Sequence, residues 1–232
     1  MRTIGLLGGM SWESTVEYYR LLNQEVRRRR GGLHSAKAVL VSLDFAEVEQ
    51  LQAAGDWAAA GRLLAGHARR VEAAGAELLL VCTNTMHLLA DEVQAAVGIP
   101  LLHIADATAE RVLADGRRRV GLLGTRFTME QPFYRDRLAA RHGIATLVPD
   151  ADGRALVHRV IFDELCRGEL RPASRRALAE VAGKLAADGA EGVLLACTEL
   201  PLLLSQADTP VPLYDTTAIH ATAAVERALA AG

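Results

Sequence analysis

The chain lacks several features that would assign a protein to a class at once. Among its 232 residues only 4% are aromatic, and 26 Lys and Arg against 28 Asp and Glu leave a net charge of −2. A nearly neutral chain offers no global attraction to nucleic acid or to an anionic membrane. No apolar run reaches the ~20 residues that cross a bilayer, and the apolar part of the N-terminus is too short for a signal peptide. We therefore expect a soluble cytoplasmic protein with neither nucleic-acid nor membrane partners.

Cysteine is scarce as well. Cys82, Cys166 and Cys197 form neither a C-x-x-C pair nor a metal-ligand spacing, and their odd number argues against a disulfide framework. The glycine-rich stretch GLLGGM (5–10) lacks the G-x-G-x-x-G pattern and the lysine of a phosphate loop. No lysine lies in a setting typical of a pyridoxal Schiff base. We expect reduced thiols, no metal and no cofactor.

What the chain does contain is an internal repeat. Three pairs of segments carry it, the last more loosely than the others: IGLLGG (4–9) with VGLLGT (120–125), AGAELLLVCTN (74–84) with DGAEGVLLACTE (188–199), and IPLLHIADAT (99–108) with TPVPLYDTTA (209–218). Gly5 precedes Cys82 by 77 positions, and Gly121 precedes Cys197 by 76. Such similar spacing at two landmarks indicates two homologous halves.

Each half alternates short apolar runs with longer segments of helical spacing. The runs are TIGLLG, AVLVSLDF, ELLLVC, RVGLLG and GVLLAC. They are typical of strands buried on both faces of a parallel sheet. Helices are predicted over 12–29, 57–74, 131–141, 151–166 and 173–187. The first of these helices places Val16, Tyr19, Leu22 and Val26 on one face. The alternation predicts an α/β fold of parallel βαβ units in each half.

Both repeated cysteines stand where a predicted strand ends, and ligands of parallel sheets collect at these carboxyl ends. A thiol that opens a helix feels the positive end of the helix dipole, so we expect a lowered thiol pKa at both positions. A single free cysteine is most often a small buried apolar residue, and we keep that interpretation for Cys166. The pair of Cys82 and Cys197 instead predicts proton exchange at a stereocentre, one thiolate removing the α-proton and the other thiol supplying a proton to the opposite face.

Two neighbours of the cysteines have more than one interpretation. Glu199, two residues after Cys197, would raise the pKa of that thiol and keep it protonated; an ordinary charge in the first turn of a helix explains it equally well. His87 lies about one helical turn after Cys82, and we interpret it as a histidine held by hydrogen bonds rather than as a catalytic group.

Six motifs occur together in this chain: GLLGGMSWEST, CTNTMH, HIADAT, GTRFTM, ACTE and YDTTAIHA. In this order they resemble the aspartate/glutamate racemase family, which is independent of pyridoxal phosphate. The match is closest to the aspartate racemase and broad-specificity amino-acid racemase branch. The resemblance implies two pseudo-symmetric α/β domains, an active site in the cleft between them, and a homodimer. We place the N-terminal domain at 1–98 plus 214–232, since the resemblance implies that the last helix crosses back, and the C-terminal domain at 99–213.

The resemblance also implies roles for individual residues. Cys82 and Cys197 match the two catalytic cysteines. The residues that correspond to substrate-binding positions are Met10, Ser11, Gln52, Thr83, Asn84, Thr85, Thr125, Thr128 and Thr198, together with Glu199 beside the second cysteine. Acid-specific relatives often carry a lysine where this chain has FDELCRGEL (162–170), and here the nearby cation is Arg167. Arg167 would bind a side-chain carboxylate, or it is a solvated charge at a helix end.

The sequence thus predicts a cofactor-independent racemase that interconverts L- and D-amino acids. Aspartate or glutamate is the first substrate we expect, and a broader set that includes neutral amino acids is the second. Another enzyme of the superfamily is the main alternative: a hydantoin racemase, a maleate isomerase or a malonate decarboxylase. A small-molecule-binding protein without catalysis is the remaining one.

Overall fold

The computed structural model describes residues 1–230. Packing divides the chain into two compact units: unit 1 consists of Met1–Ile104 and the segment from His220 onward, and unit 2 consists of Ala105–Ile219. The boundaries that we placed from the sequence, after residues 98 and 213, fall a few residues before these two crossings of the chain.

Each unit contains one parallel β-sheet. In chain order the described strands are β1 (Ile4–Gly8), β2 (Ala38–Ser42), β3 (Leu78–Val81), β4 (Arg119–Gly124), β5 (Ala145–Leu147), β6 (Val193–Ala196) and β7 (Leu213–Asp215). Unit 1 has the order β2-β1-β3, and unit 2 has the order β5-β4-β6-β7. All neighbouring strands run parallel. The predicted α/β class with two parallel sheets is confirmed.

Helices flank both sheets. They are α1 (Trp12–Arg30), α2 (Phe45–Ala54), α3 (Trp57–Ala73), α4 (Ala90–Ala95), α5 (Ile104–Ala114), α6 (Arg126–Glu130), α7 (Pro132–His142), α8 (Ala151–Asp163), α9 (Pro172–Ala187), α10 (Leu200–Leu203) and α11 (Thr216–Ala230). Short 3-10 helical turns follow at Thr85–Leu89, Leu165–Arg167 and Gln206–Asp208. The five helices predicted from spacing all form, because each buries apolar side chains on one side.

The internal repeat has a structural counterpart. In unit 1 the glycine-containing strand β1 lies between β2 and β3, and in unit 2 the equivalent strand β4 lies between β5 and β6. Even the loosest pair of repeated segments is equivalent, since Leu101 forms a parallel bridge to Leu79 and Leu213 of β7 pairs with Val193 of β6. The two halves therefore share one strand order.

The apolar face predicted for α1 is only partly correct. Leu22 and Val26 are buried as expected, but Val16 is 53% exposed and Tyr19 58% exposed. The buried side instead includes Thr15, whose hydroxyl accepts a 2.8 Å hydrogen bond from Gly9 N. A small hydroxyl side chain that bonds to the preceding turn fixes which side of α1 faces the core, and hydrophobic spacing cannot detect this.

Within residues 1–230, no helix combines the length and the apolar character that crossing a membrane requires.

Candidate active site

Cys82 is the first residue after β3. Its backbone N–H donates a 2.9 Å hydrogen bond to Leu7 O of the neighbouring strand β1, and its side chain is fully buried. The chain then turns through Thr83 and Asn84 into the 3-10 helix Thr85–Leu89. The thiol is thus fixed at the carboxyl end of the sheet of unit 1, where the sequence predicted it.

Cys197 occupies the equivalent position in unit 2, directly after β6. Its Sγ donates a 3.0 Å hydrogen bond to Glu199 Oε2, and the Thr198 hydroxyl donates to the same oxygen at 2.9 Å. All three side chains are buried. A buried carboxylate that accepts the thiol proton's hydrogen bond favours the protonated form of Cys197.

The expectation that helix N-termini lower the thiol pKa values is wrong. Burial raises the pKa of the Cys82 thiol far above its ordinary value. Burial is also the largest cause that raises the pKa of Cys197, and the Glu199 charge raises it further. Neither cysteine opens a long helix: a five-residue 3-10 turn follows Cys82, and the four-residue α10 follows Cys197. Loss of hydration therefore outweighs the weak dipole of these short turns.

Cys166 lies within electrostatic reach of Cys197. The interaction between the two thiols contributes to the raised pKa of Cys197. Cys166 is half-buried and packs against the core of unit 2, which agrees with its interpretation as a small apolar residue. It follows the end of α8 rather than lying within that helix, because α8 ends at Asp163.

The candidate binding residues of unit 1 are all buried, and all except Gln52 lie just after the ends of β1 and β3. Met10 and Ser11 follow β1, and Ser11 caps α1 by accepting a hydrogen bond from Ser14 N at 3.4 Å. Gln52 lies in α2 with its amide donating to Met86 Sδ at 2.9 Å. Three more follow Cys82 directly, and they are Thr83, Asn84 and Thr85.

The candidates of unit 2 divide into a buried and an exposed set. Thr125, which follows β4, caps α6 by accepting from Thr128 N, and the two hydroxyls lie 3.2 Å apart. Thr198 and Glu199 are the buried neighbours of Cys197. Arg167 is exposed at the end of a 3-10 turn, so its contact with a substrate stays a prediction.

Sequence reasoning did not find how the buried histidines of unit 1 are connected. His87, His103 and His220 are each at most 5% exposed, and their rings pack against one another. Their positions within CTNTMH, HIADAT and YDTTAIHA were the only signal in the sequence. Across residues 1–230 there is no group of three His, Cys, Asp or Glu side chains that could hold a metal ion.

Comparison with known proteins identifies relatives that match this chain over most of its length. The family model described as Asp/Glu/hydantoin racemase matches residues 7–224. A structure from Yersinia pestis, given as a candidate Asp/Glu racemase, is 54% identical with a TM-score of 0.92, over 99% of this chain and 100% of that one. An aspartate racemase homologue from Pyrococcus horikoshii is 35% identical with a TM-score of 0.84, over 99% and 100%. The broad specificity amino-acid racemase RacX of Bacillus subtilis is 22% identical, over 69% of each chain.

Proposed function

Because the chain belongs to the Asp/Glu/hydantoin racemase family, and is thus an amino-acid racemase and an isomerase, we propose that it inverts the α-carbon by two-base proton transfer between Cys82 and Cys197. In one direction the Cys82 thiolate takes the α-proton as the Cα–H bond breaks. The electron pair stays on the substrate, and the Cys197 thiol then gives its proton to the opposite face. In the other direction the two thiols exchange the roles of proton acceptor and proton donor.

One observation supports this proposal above the others: the two thiols occupy the same place in two repeated sheets. Each is the first residue after the strand that pairs with the glycine-containing strand of its own unit. A structural cysteine needs no counterpart in the other half, whereas a reaction with two mirror-image directions needs one group for each face.

Burial serves the chemistry of such a base. A raised pKa makes the thiolate rare at rest but gives it a stronger affinity for the weakly acidic α-proton. Glu199 keeps Cys197 as the protonated partner, since the thiol donates to its carboxylate. We therefore propose that Cys197 is the proton donor at rest.

The substrate we propose first is aspartate or glutamate. The names of two relatives support this choice, and the name of a third supports a broader range. If Arg167 binds the side-chain carboxylate, Arg167→Ala raises KM for the acidic substrate and leaves KM for a neutral amino acid unchanged. Equal KM changes for both kinds of substrate would show that Arg167 does not bind the side-chain carboxylate.

The proposal is tested by incubating single enantiomers of a panel of amino acids with the purified protein in deuterated water, without added metal or pyridoxal phosphate. We expect deuterium at Cα together with the opposite enantiomer. Cys82→Ser and Cys197→Ser lower the racemisation rate by about 10²- to 10⁴-fold, while Cys166→Ser retains most of it.

The same experiment can also contradict the proposal. No exchange with any amino acid would contradict the proposal, and carbonyl acids and hydantoins would be the next substrates. Full activity in either Cys82→Ser or Cys197→Ser would contradict the two-base mechanism. The homodimer stays a prediction, which sedimentation velocity checks.

A further inference from the structure

Unit 1, which contains Cys82, also contains a cluster of buried histidines to which the proposed reaction gives no part. The ring of His87 lies 4.5 Å from that of His103 and 5.8 Å from that of His220, centroid to centroid. Buried polar groups have hydrogen-bond partners. Those of His87 lie in the turn after Cys82 and at the first residue of α5.

The partners of His87 determine its protonation state. Nδ1 lies 2.7 Å from the carbonyl oxygen of Thr83, and a carbonyl can only accept, so Nδ1 carries a proton. Nε2 accepts a 3.2 Å hydrogen bond from the backbone N–H of Ile104, so Nε2 carries none. His87 is therefore the neutral Nδ1–H tautomer. A second proton would place two donors against each other at Ile104.

His220 holds the same segment by the opposite tautomer. Its Nε2 donates to Leu102 O at 2.9 Å, and its Nδ1 accepts a 2.8 Å hydrogen bond from the Tyr18 hydroxyl. The segment Leu102–Ile104, with which the chain leaves unit 1, is thus held at its first carbonyl by His220 and at its last N–H by His87.

The hydrogen bond to Thr83 connects His87 to the turn that carries the Cys82 thiol. Thr83 directly follows Cys82, and its carbonyl belongs to the Thr83–Asn84 peptide, which is trans. In a trans peptide the C=O and N–H point in opposite directions. Holding the Thr83 oxygen toward His87 therefore turns the Asn84 N–H away from the histidine cluster and fixes the turn on which the thiol of Cys82 stands.

We propose that His87 is a positioning residue for Cys82: its Nδ1–H holds the Thr83 carbonyl and so fixes the turn after the thiol, and the hydrogen bond that Nε2 accepts from Ile104 keeps the ring in this tautomer. The inference rests on the proposed function for its catalytic meaning. It assigns no proton transfer to His87 itself, because both ring nitrogens are already engaged.

Two substitutions separate the two hydrogen bonds. In His87→Asn the amide nitrogen replaces Nδ1 and can still donate to Thr83 O, but the reach to Ile104 is lost. In His87→Gln the amide extends toward the position of Nε2, and the donor to Thr83 is lost. His87→Ala removes both, and His34→Asn, at an exposed position, is the matched control.

Positioning through Thr83 predicts an ordered result. His87→Ala and His87→Gln lower kcat by about 10- to 100-fold with little change in KM, His87→Asn recovers most of kcat, and His34→Asn equals wild type. If His87→Asn is as inactive as His87→Ala, or if His87→Gln keeps the wild-type kcat, the proposal is wrong. Losses that simply follow each variant's loss of thermal stability would also reject it in favour of a packing role.

A readout without turnover distinguishes failure of this inference from failure of the proposed function. In a Cys166→Ser/Cys197→Ser chain, the rate at which iodoacetamide alkylates Cys82 in the folded protein reports how firmly the turn is held. We expect faster alkylation in His87→Ala and His87→Gln but not in His87→Asn. Equal alkylation rates in this parent chain and in its three His87 variants would overturn the inference even if the wild-type protein is an active racemase. If the wild-type protein racemises no substrate, the alkylation rates still show whether His87 positions Cys82.

The tautomer offers an independent check. Imidazole ¹⁵N shifts of the wild-type protein at neutral pH, assigned by the signals missing in His87→Asn, should show His87 protonated at Nδ1. An Nε2–H or doubly protonated His87 would contradict the hydrogen bonds on which the proposal depends.

Discussion

Gly5 in β1 lies directly against Val71 of α3, so close that a methyl group at position 5 would overlap Val71 Cγ1 and stand 2.8 Å from Ala76 Cβ. The same relationship recurs in unit 2, where a Cβ at Gly121 of β4 would stand 2.9 Å from Leu185 Cδ1 of α9. Each central strand thus needs a glycine for a helix to pack on it, which explains why the glycine motif repeats.

The first prediction concerns this packing. Gly5→Ala inserts a methyl group into a filled space and should lower the free energy of unfolding by about 1–3 kcal/mol. Gly66→Ala, in α3 where nothing lies within 4 Å of the added Cβ, is the control and should raise it by about 0.5–1 kcal/mol. Urea unfolding of both variants checks this. A Gly5→Ala protein as stable as Gly66→Ala would contradict the packing that we describe.

A second prediction concerns Glu199. Burial is the main cause that raises the pKa of Cys197, and the Glu199 charge raises it further, so Glu199→Gln should shift the pH midpoint of Cys197 alkylation toward acid. The midpoint should stay above that of an exposed cysteine because burial persists. We would measure alkylation in a Cys82→Ser/Cys166→Ser chain.

Glu180→Gln, on the exposed surface of α9, removes the same charge at a distance and should leave the midpoint unchanged. An unchanged or more alkaline midpoint in Glu199→Gln would show that the carboxylate does not hold the Cys197 proton.

The third prediction concerns acid stability and His220. Burial lowers the pKa of His220 to about 3 from an ordinary 6.5. The unfolded chain binds this proton more readily, so the stabilisation is complete above pH 6.5 and is lost as the pH falls from 6.5 toward 3. One proton taken up on unfolding changes stability by about 1.4 kcal/mol per pH unit.

His220→Gln should therefore be less stable than wild type at pH 8, since the hydrogen bonds to Tyr18 and Leu102 are disturbed, but should lose stability less steeply between pH 6.5 and 4. Urea unfolding across this range provides the slopes, with His34→Gln as the exposed control. Parallel curves for wild type and His220→Gln would contradict a buried neutral His220.

The fourth prediction concerns Asp106 in the first turn of α5. It accepts hydrogen bonds of 2.7 and 2.6 Å from Arg137 and one of 2.9 Å from His142. Burial by itself would raise the pKa of Asp106, but these partners outweigh it and hold the pKa below its ordinary value of 3.8. The contribution is present above pH 3.8 and is lost as the pH falls through the lowered pKa.

Asp106→Asn should cost about 1.5–3 kcal/mol at pH 7, as expected for hydrogen bonds to a charged group. The difference from wild type in urea unfolding should shrink below about pH 4. A difference that stays constant down to pH 2.5 would mean that the charge of Asp106 contributes nothing to stability.

Several elements could be predicted because their signals are local. The runs that became β1, β3, β4 and β6 are apolar on both faces, and such runs predict central parallel strands without knowledge of the partners. The strands β5 and β7 lacked this signal because each has three residues and lies at a sheet edge. The family followed from six motifs, and the comparison with known proteins confirms it.

Other features depended on neighbours that spacing does not show. Thr15 bonds to the turn at Gly9, so α1 presents a different side to the core than its apolar residues predicted. The prediction that both thiol pKa values are lowered was wrong, because burial and the length of the following turn are decided by the folded structure.

The sequence by itself determined the α/β class, the repeat of two halves and the two cysteines at strand ends, because hydrophobic period and repeat spacing are properties of the chain alone. Tertiary structure alone decided that both thiols are buried, that Glu199 turns back onto Cys197, and that His87 bridges Thr83 to Ile104. These features join backbone and side-chain groups from several elements, and burial sets their protonation, so only the folded chain brings the groups together and fixes their charge.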